Sequence, residues 1–428
     1  MSEVLLDYLT IFRSRLGVVN LVLPLVELSA TRVETVTRKL REILEERVEI
    51  DPSNQASEGV LTYLVDKQLV GPRPRKRGRY AKYTLQREGS TWEARTARGD
   101  LLLSLPVFKT DLWFSDARVR STVGVPTPDN VDEVLGFCLD LGVVSKVRGS
   151  RTTAGHVMAA MRKTAAQSDN PFVLGLESAA LLRHVLSRDA LVLCELTREL
   201  GQHGEVVRRD DLLPGGFIEI ARRAYELSRT LDMGADVVGQ ARAFSRLLEE
   251  TSRKKVVTRA AAKGAVSEGP GVLEHRLSPR LEWLTDFGIL TKDGLAKNSF
   301  SYRQTPLVGE TQVRLEAQLR GRNTPADDTA LELRSRDPEW EELRRAVRVH
   351  SVEDALVAGF RSIQMAIGPV PIREVCFIAA AHLDPIPPVE QLREELLRWA
   401  ERESGIKLAG GRYRREPEMV RFSEKMLT

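Results

Sequence analysis

Apolar residues recur along most of the chain at the three- and four-residue spacing of amphipathic helices, and short β-branched runs follow several of these helices. The N-terminus is predicted to be helical to about Leu28, and a second helix begins at Thr31, which stands at capping-box spacing from Glu34, and ends before the turn-forming run Asp51–Asn54. Its apolar face consists of Val33, Val36, Leu40, Ile43 and Leu44. The pattern therefore predicts a helix and a turn, with a further helix at Ala56–Leu69.

One local arrangement returns along the chain: a helix ends, the chain turns, and a short apolar run enters a loop that contains glycine. Three segments show it, Leu64–Val70, Leu139–Val144 and Leu284–Leu290. In a fourth copy, the predicted helix Pro388–Arg402 precedes a hairpin. The strands of that hairpin are predicted at Ile406–Ala409 and Met419–Phe422. Because the copies are unequally spaced, they predict separate modules rather than a solenoid of fixed period.

The first of these segments continues into a basic loop, Arg73–Arg79, and a predicted return strand, Tyr80–Leu85. The arrangement over Tyr63–Gly89 resembles the winged helix-turn-helix superfamily, and Leu284–Val308, Val134–Gly155 and the C-terminal copy are similar. The resemblance implies that one helix of a module enters the major groove of DNA while the wing lies beside the backbone or the minor groove. Many such domains bind proteins instead, so the resemblance specifies a fold better than a function.

The periodicity and the resemblance together predict a mainly α fold with short β-hairpin wings, in which multiple winged-helix domains are joined by helices. Further helices are expected at about 177–186, 191–200, 217–230 and 237–250. Polar residues centred on Thr324–Asp328 predict a linker. The resulting domains are residues 1–90, N-terminal helices plus a winged helix; 91–170, a second winged-helix-like module; 171–308, a helical middle ending in a third winged helix; 309–337, the polar linker; and 338–428, a C-terminal winged-helix-like domain.

The strongest chemical signal lies between Lys67 and Arg87, where eight basic residues occur and no acidic one. A hairpin would hold several of these cations within one or two phosphate spacings of each other, with tyrosines between them to pack on sugar or base. The predicted contact residues are Arg73, Arg75, Lys76, Arg77, Arg79, Lys82 and Tyr80. The pattern predicts affinity for the DNA backbone without sequence specificity, and a solvated basic loop is the alternative.

Shorter basic stretches extend the predicted DNA surface into the second module and the C-terminal wing. These additional cations are Arg148, Arg151, Arg412, Arg414 and Arg415. Base reading would require polar side chains on a recognition helix, and the first module offers Gln55, Thr62 and Lys67. Because Glu58 and Asp66 on the same helix would repel phosphate, backbone contact is favoured over base readout.

Composition places the chain among globular proteins, with 42% hydrophobic and 29% charged residues. The net charge of +4 is small for 428 residues, so a nucleic-acid hypothesis depends on where the charge lies. The longest apolar stretch, Leu16–Leu28, is interrupted by Asn20, Pro24 and Glu27 and is too short to span a bilayer. Three isolated cysteines and the lack of a secretory signal pattern predict a cytoplasmic location.

Signatures of catalysis are missing from the sequence. It contains neither a GxxxxGK[ST] phosphate loop nor an HExxH zinc motif, and Gly175–Ser178 lacks the second glycine of a nucleophile elbow. The six histidines show no metal-ligand spacing. The sequence therefore predicts no catalytic residue, no metal site and no cofactor; a nuclease site assembled from distant carboxylates is the weakest of three hypotheses.

The leading hypothesis is a non-catalytic DNA-binding protein, a transcription regulator or DNA-recognition subunit, that contacts duplex phosphates through basic wings. The alternative is an architectural or adaptor subunit of a larger DNA-processing or defence complex, in which winged helices hold protein partners. The predicted partners are double-stranded DNA and, in the alternative, other proteins, with no membrane contact. The sequence leaves open the cognate DNA site and the oligomeric state, including a homo-oligomer.

Overall fold

A computed structural model of the protein describes residues 16–26, 33–46, 49–50, 83–88, 91–96, 101–106, 112–113, 131–145, 151–164, 174–213, 215–261, 271–296, 299–321, 326–363, 369–410 and 417–427. Helices hold 72% of these residues, and the strands form small antiparallel sheets, chiefly of three strands. The expectation of a mainly α protein with short hairpins is confirmed at this level. Among the described helices, none combines the length and the apolar character needed to cross a bilayer.

The described residues of the N-terminal part form four helices and five strands. Its helices are α1 (Val18–Val22), α2 (Val33–Glu46), α3 (Val131–Asp140) and α4 (Thr153–Thr164). Its strands are β1 (Glu49–Ile50), β2 (Tyr83–Glu88), β3 (Thr91–Thr96), β4 (Leu101–Pro106) and β5 (Leu112–Trp113). Strand β1 pairs with β5, and β2, β3 and β4 form an antiparallel meander. Every residue of α1 is buried, so this short helix belongs to the core.

The meander corrects two sequence predictions. Strand β2 pairs with β3 along its full length, from Tyr83 opposite Thr96 to Glu88 opposite Thr91. The domain boundary predicted after residue 90 therefore falls between two paired strands. The return strand predicted at Tyr80–Leu85 is seen from Tyr83 onward, and its partner among the described strands follows it in the chain. The physical reason is the Gly-Ser pair between the strands, a two-residue hairpin signal.

The core is organised around helix α5 (Glu177–Gln202), whose 26 residues are mostly buried. The two helices predicted at 177–186 and 191–200 are confirmed: they run on from each other within α5 and are separated by a kink at Asp189, where the backbone angles are non-helical (φ −122°, ψ 20°). At its start, the buried carboxylate of Glu177 accepts hydrogen bonds from Asn20 (3.0 Å) and Arg162 (2.6 Å). Glu177 thereby ties α1 and α4 to the central helix.

After α5 the chain forms a sheet and three more helices. Strand β6 (Val206–Arg208) and a 3₁₀ turn (Arg209–Leu212) lead into α6 (Gly215–Thr230), α7 (Ala235–Ala261) and α8 (Gly271–Asp286). The hairpin β7 (Leu290–Ala296) and β8 (Ser299–Gln304) follows, and the sheet order is β6-β8-β7. The predicted helices at 217–230 and 237–250 are thus confirmed, and α7 continues beyond the predicted end to Ala261.

The glycine of the recurring arrangement has a definite role at two positions. Gly142 (φ 75°) follows α3, and Gly288 (φ 71°) follows α8. In each case the next amide N–H reaches back five residues, from Val143 to Cys138 and from Ile289 to Leu284. This is a helix C-cap, in which a left-handed residue satisfies terminal carbonyls. The shared sequence pattern therefore marks the way a helix ends.

In place of the polar linker predicted at 309–337, the described residues form helices that pack on the core. Helices α9 (Leu307–Leu319) and α10 (Ala326–Ser335) both contact α5. Thr311 and Leu315 of α9 are fully buried. Thr, Pro and Asp are turn-formers, but they are equally favoured around a helix N-terminus, and Asp327 and Asp328 lie in the first turn of α10.

The remaining chain forms the C-terminal unit, residues 352–427, preceded by α11 (Pro338–Ala346). Its elements are α12 (Val352–Ile363), β9 (Val370–Pro371), α13 (Ile372–Ala381), α14 (Val389–Arg402), β10 (Ile406–Gly410), β11 (Pro417–Phe422) and the single-turn α15 (Glu424–Leu427). The predicted helix at 388–402 and both predicted strands are confirmed. The sheet order is β9-β11-β10, and Phe422 packs its ring against Phe360 (centroids 4.8 Å apart) and Trp399 (5.7 Å).

Candidate functional site

Two parts of the protein arrange three antiparallel strands in the same way. In each sheet the first strand of the chain lies at one edge, the last strand lies in the centre, and the helix before the hairpin ends within four residues of it. The central unit comprises α5 to β8, residues 177–304, and the second is the C-terminal unit. Because only an exposed helix or hairpin can contact a partner, burial decides which of the two offers a site.

The helix before the hairpin of the central unit is enclosed by the protein. All residues from Arg276 to Thr285 on α8 are buried. Arg280 is 1% exposed and donates to the buried Asp189 with two nitrogens, Nε at 2.7 Å and Nη2 at 3.0 Å. The same guanidinium lies 5.4 Å from the centroid of the Phe244 ring. A helix held in this way cannot enter a DNA groove.

The corresponding helix of the C-terminal unit, α14, is amphipathic and leaves one face in solvent. Val389, Leu392 and Leu396 face the core. The exposed side chains are Glu390, Gln391, Glu394, Arg398, Glu401 and Arg402. Acids outnumber bases on this face, so α14 offers no cationic surface for phosphate.

The hairpin of the C-terminal unit presents cations instead. Lys407 on β10 and Arg421 on β11 are register partners in the antiparallel pair, and both side chains are exposed. Among the described residues neither forms an ion pair. Like charges placed directly opposite each other destabilise a sheet. A site for an anion on this face of the hairpin would remove that repulsion.

Most of the predicted DNA-binding residues lie outside the described part of the chain. They are Gln55, Thr62, Lys67, Arg73, Arg75, Lys76, Arg77, Arg79, Tyr80, Lys82, Arg148, Arg412, Arg414 and Arg415. Arg151 is described: it lies half-buried beside α4, and its Nε donates a hydrogen bond to the carbonyl oxygen of Leu23 at 2.8 Å. Arg151 therefore contacts the backbone of the protein itself rather than lying fully exposed on its surface.

A charged cluster that sequence reasoning missed joins the C-terminal unit to α5. Arg183 of α5 donates to Glu374 of α13 (2.6 Å) and lies 3.4 Å from Asp327 of α10. Asp327 also accepts from Arg373 at 2.6 Å. Beside it, Asp328 accepts from the backbone N–H of Val389 at 2.9 Å, at the start of α14. Burial raises the pKa of Asp328 above its usual value. In the sequence, the adjacent Asp327 and Asp328 were the sign of this cluster, but such a pair is equally typical of a turn.

Cys194, Cys376 and His184 carry groups that can take part in catalysis, but their surroundings suit a structural role. Burial raises the pKa of Cys194 and of Cys376 to about 12, which keeps both thiols protonated and unreactive near neutral pH. Burial, followed by the charge of Arg188, lowers the pKa of His184 to about 4, and its Nε2 donates to the carbonyl oxygen of Leu141. Across the described ranges, no group of three or more His, Cys, Asp or Glu side chains is placed to hold a metal ion.

Comparisons with protein-family models, with curated proteins and with solved structures find no match to this chain.

Proposed function

We propose that this protein is a non-catalytic DNA-binding protein that contacts duplex phosphates through basic hairpins. The C-terminal unit supports this reading because its order of helix, strand, two helices and hairpin is that of a winged helix. The observation that carries the proposal is the exposed pair Lys407 and Arg421, two cations side by side without an acidic partner among the described residues. Between the two strands, the sequence adds Arg412, Arg414 and Arg415.

The contact is to the backbone rather than to base edges. Acidic side chains dominate the solvent face of α14, and phosphate would repel Glu390, Glu394 and Glu401 if that helix entered the major groove. The hairpin therefore takes the larger share of the binding, with the basic run Lys67–Arg87 as a second contact that stays a prediction from sequence. Contacts to phosphate position a protein on DNA without specifying a sequence.

The decisive experiment measures duplex affinity at several salt concentrations by fluorescence anisotropy. Lys407→Ala and Arg421→Ala should each lower the slope of log K against log salt by about 0.9, the value for one phosphate contact. Arg361→Ala is the matched control, since Arg361 is an exposed cation on α12, outside the hairpin strands, and forms no ion pair among the described residues. Unchanged slopes for both hairpin variants would exclude the hairpin as a phosphate contact.

A second candidate function is that of an adaptor, in which the C-terminal unit holds a protein. The acidic face of α14 is the specific observation that favours it, because such a face suits a protein surface better than DNA. The two functions are separable: a pure adaptor would bind duplex DNA weakly at all salt concentrations, and loss of Lys407 or Arg421 would leave that binding unchanged.

A further inference from the structure

Helix α7 extends beyond α6, the helix on which it packs. Phe217, near the start of α6, packs its ring against Phe244 in the first half of α7, with the centroids 6.1 Å apart. Helix α6 has 16 residues and α7 has 27, so at 1.5 Å per residue α7 is about 16 Å longer. The end of α7, the basic segment 253–261, therefore lies beyond the start of α6.

The first half of α7 has one buried stripe and an exposed face. Ala241, Phe244 and Leu248 are buried, at spacings of three and four residues. Arg242 and Arg246 lie outside that stripe, one helical turn apart, and both are exposed. This half is therefore an ordinary amphipathic helix.

The buried stripe changes character where α7 enters the basic segment. Continued at the same helical spacing, the stripe next reaches Ser252, Lys255 and Arg259. Lysine and arginine are almost never fully buried unless they are paired. The change from apolar to cationic residues along one stripe indicates that the packed part of α7 ends near Ser252.

Cations occur at positions all round the helix in the basic segment. Four of its residues are basic and none is acidic. Arg253, Lys254 and Lys255 are consecutive, so their positions are about 100° apart around a helix with 3.6 residues per turn. No acidic residue occurs between Glu250 and Glu268. The sequence therefore concentrates positive charge on this part of α7, which favours an anionic partner.

The residues beside the cations select the class of anion. A helix that lies on a membrane surface needs large apolar side chains such as Trp, Phe or Leu on one face. Apart from alanines, the basic segment offers only Val256 and Val257. Binding of a single strand relies on bases that stack on aromatic rings, and residues 251–267 include no aromatic residue. The phosphates of a duplex require only cations, so duplex DNA fits this segment best.

We propose that the basic segment is a second contact for duplex DNA, and that the phosphate backbone follows the stripe formed by Arg242, Arg246 and Arg253. These three positions lie within about 40° of one another around the helix axis and span about 16 Å along it. Lys254, Lys255 and the later Arg259 extend the contact around the end of the helix. The proposal rests on the proposed function for the class of ligand, but it uses no residue of the C-terminal unit.

The test measures the affinity of the full chain for a labelled random-sequence DNA duplex over a series of salt concentrations. One variant combines Arg253→Gln, Lys254→Gln, Lys255→Gln and Arg259→Gln, and glutamine has a helix propensity close to that of lysine and arginine. If two or three of these cations bind phosphate, the slope of log K against log salt should fall by about 2–3. An unchanged slope would overturn the proposal.

The matched control removes the same number of charges from exposed arginines elsewhere in the protein. It combines Arg229→Gln, Arg320→Gln, Arg345→Gln and Arg361→Gln. This variant should keep a slope close to that of the wild type. An equal fall in both variants would contradict the proposal, because affinity would then follow net charge alone.

A single substitution tests the stripe in the part of α7 whose side chains are described. Arg246→Gln should lower the slope by about 0.9, the value for one phosphate contact. Arg229→Gln is the control, since Arg229 is an exposed cation of α6 next to the turn into α7, at the opposite end of α7 from the basic segment. Equal slopes for these two variants would reject the proposed path of the backbone.

The same titrations keep this proposal apart from the proposed function of the hairpin. A fall in slope confined to the α7 variants would support the basic segment and reject the hairpin. A fall confined to Lys407→Ala and Arg421→Ala would reject the basic segment and leave the hairpin.

Three further results would count against the basic segment. A lower melting temperature of the four-residue α7 variant would mean that its cations are held inside the protein. An equal or larger fall in slope on single-stranded DNA would mean that the segment is not a duplex contact. Loss of binding to polyglutamate, with unchanged binding to duplex DNA, would assign the segment to an acidic protein instead.

Discussion

The central unit and the C-terminal unit share a strand order but use their charges in opposite ways. The central unit buries Arg276 and Arg280 on α8, and Arg280 pairs with Asp189 inside the core. The C-terminal unit leaves Lys407 and Arg421 side by side in solvent. In the central unit the charge pair is buried, whereas in the C-terminal unit the two cations are exposed and form no ion pair among the described residues. The same strand order therefore accompanies opposite placements of charge.

Breaking the buried ion pair should produce the largest effect on stability. Asp189→Ala leaves Arg280 as an uncompensated buried cation, and the free energy of unfolding should fall by about 3–5 kcal/mol. Denaturant titration measures the change. Glu219→Ala, at the exposed pair with Arg222 on α6, is the control and should cost less than about 1 kcal/mol. A small effect at Asp189 would mean that the central unit does not rely on its buried charges.

Lowering the pH should produce the second largest loss of stability, and it should act on the central unit. The folded pKa of His184 lies near 4, below the value of 6.5 expected in the unfolded chain. Between these values the unfolded chain binds a proton that the folded chain does not, so stability is full above about pH 6.5 and falls as the pH drops toward 4. The loss is at most about 3 kcal/mol.

Denaturant titrations at a series of pH values test this. His184→Gln should flatten the decline between pH 6.5 and 4, while His350→Gln, at an exposed position, should leave it unchanged. A wild-type stability that stays constant over this range would contradict the setting assigned to His184.

The C-terminal unit should be sensitive where its helices approach most closely. A Cβ added at Gly359 on α12 would lie 2.6 Å from the carbonyl oxygen of Val375 on α13, so Gly359→Ala must force the helices apart. We expect a loss of about 1–2 kcal/mol. Gly309→Ala is the matched control, because an added Cβ on α9 meets no atom within 4 Å and alanine favours a helix. Equal thermal shifts of the two variants would contradict this packing.

Local sequence patterns predicted the helices and strands far better than they predicted which residues of those elements are buried. The hairpin strands at 406–409 and 419–422 follow from alternation and turn residues, and the helix at 388–402 follows from its periodic Val389, Leu392 and Leu396. Burial does not follow from such patterns. Arg276 and Arg280 are residues expected at a surface, and their contacts with the distant Asp189 and Phe244 help to explain why they lie inside.

The packing of the polar segment around Asp327 could not be predicted for the same reason. An Asp-Asp pair after Thr-Pro is compatible with a linker or with a helix start, and Arg183, more than a hundred residues earlier, decides between them. A contact between remote segments settles the case.

The smallest effect tests whether the C-terminal hairpin keeps its charges at the expense of stability. Arg421→Glu places an acid opposite Lys407 and replaces a repulsive cross-strand pair with an attractive one. The free energy of unfolding should rise by about 0.2–1 kcal/mol, while duplex affinity should fall and its dependence on salt should weaken. Arg421→Gln separates the two contributions, since it removes the repulsion without adding attraction. A variant that is less stable than the wild type yet binds DNA equally well would show that the pair is an ordinary solvated surface. A gain in stability with a loss of binding would show that the exposed cations are retained for a ligand, as the buried pair of the central unit is retained for the fold.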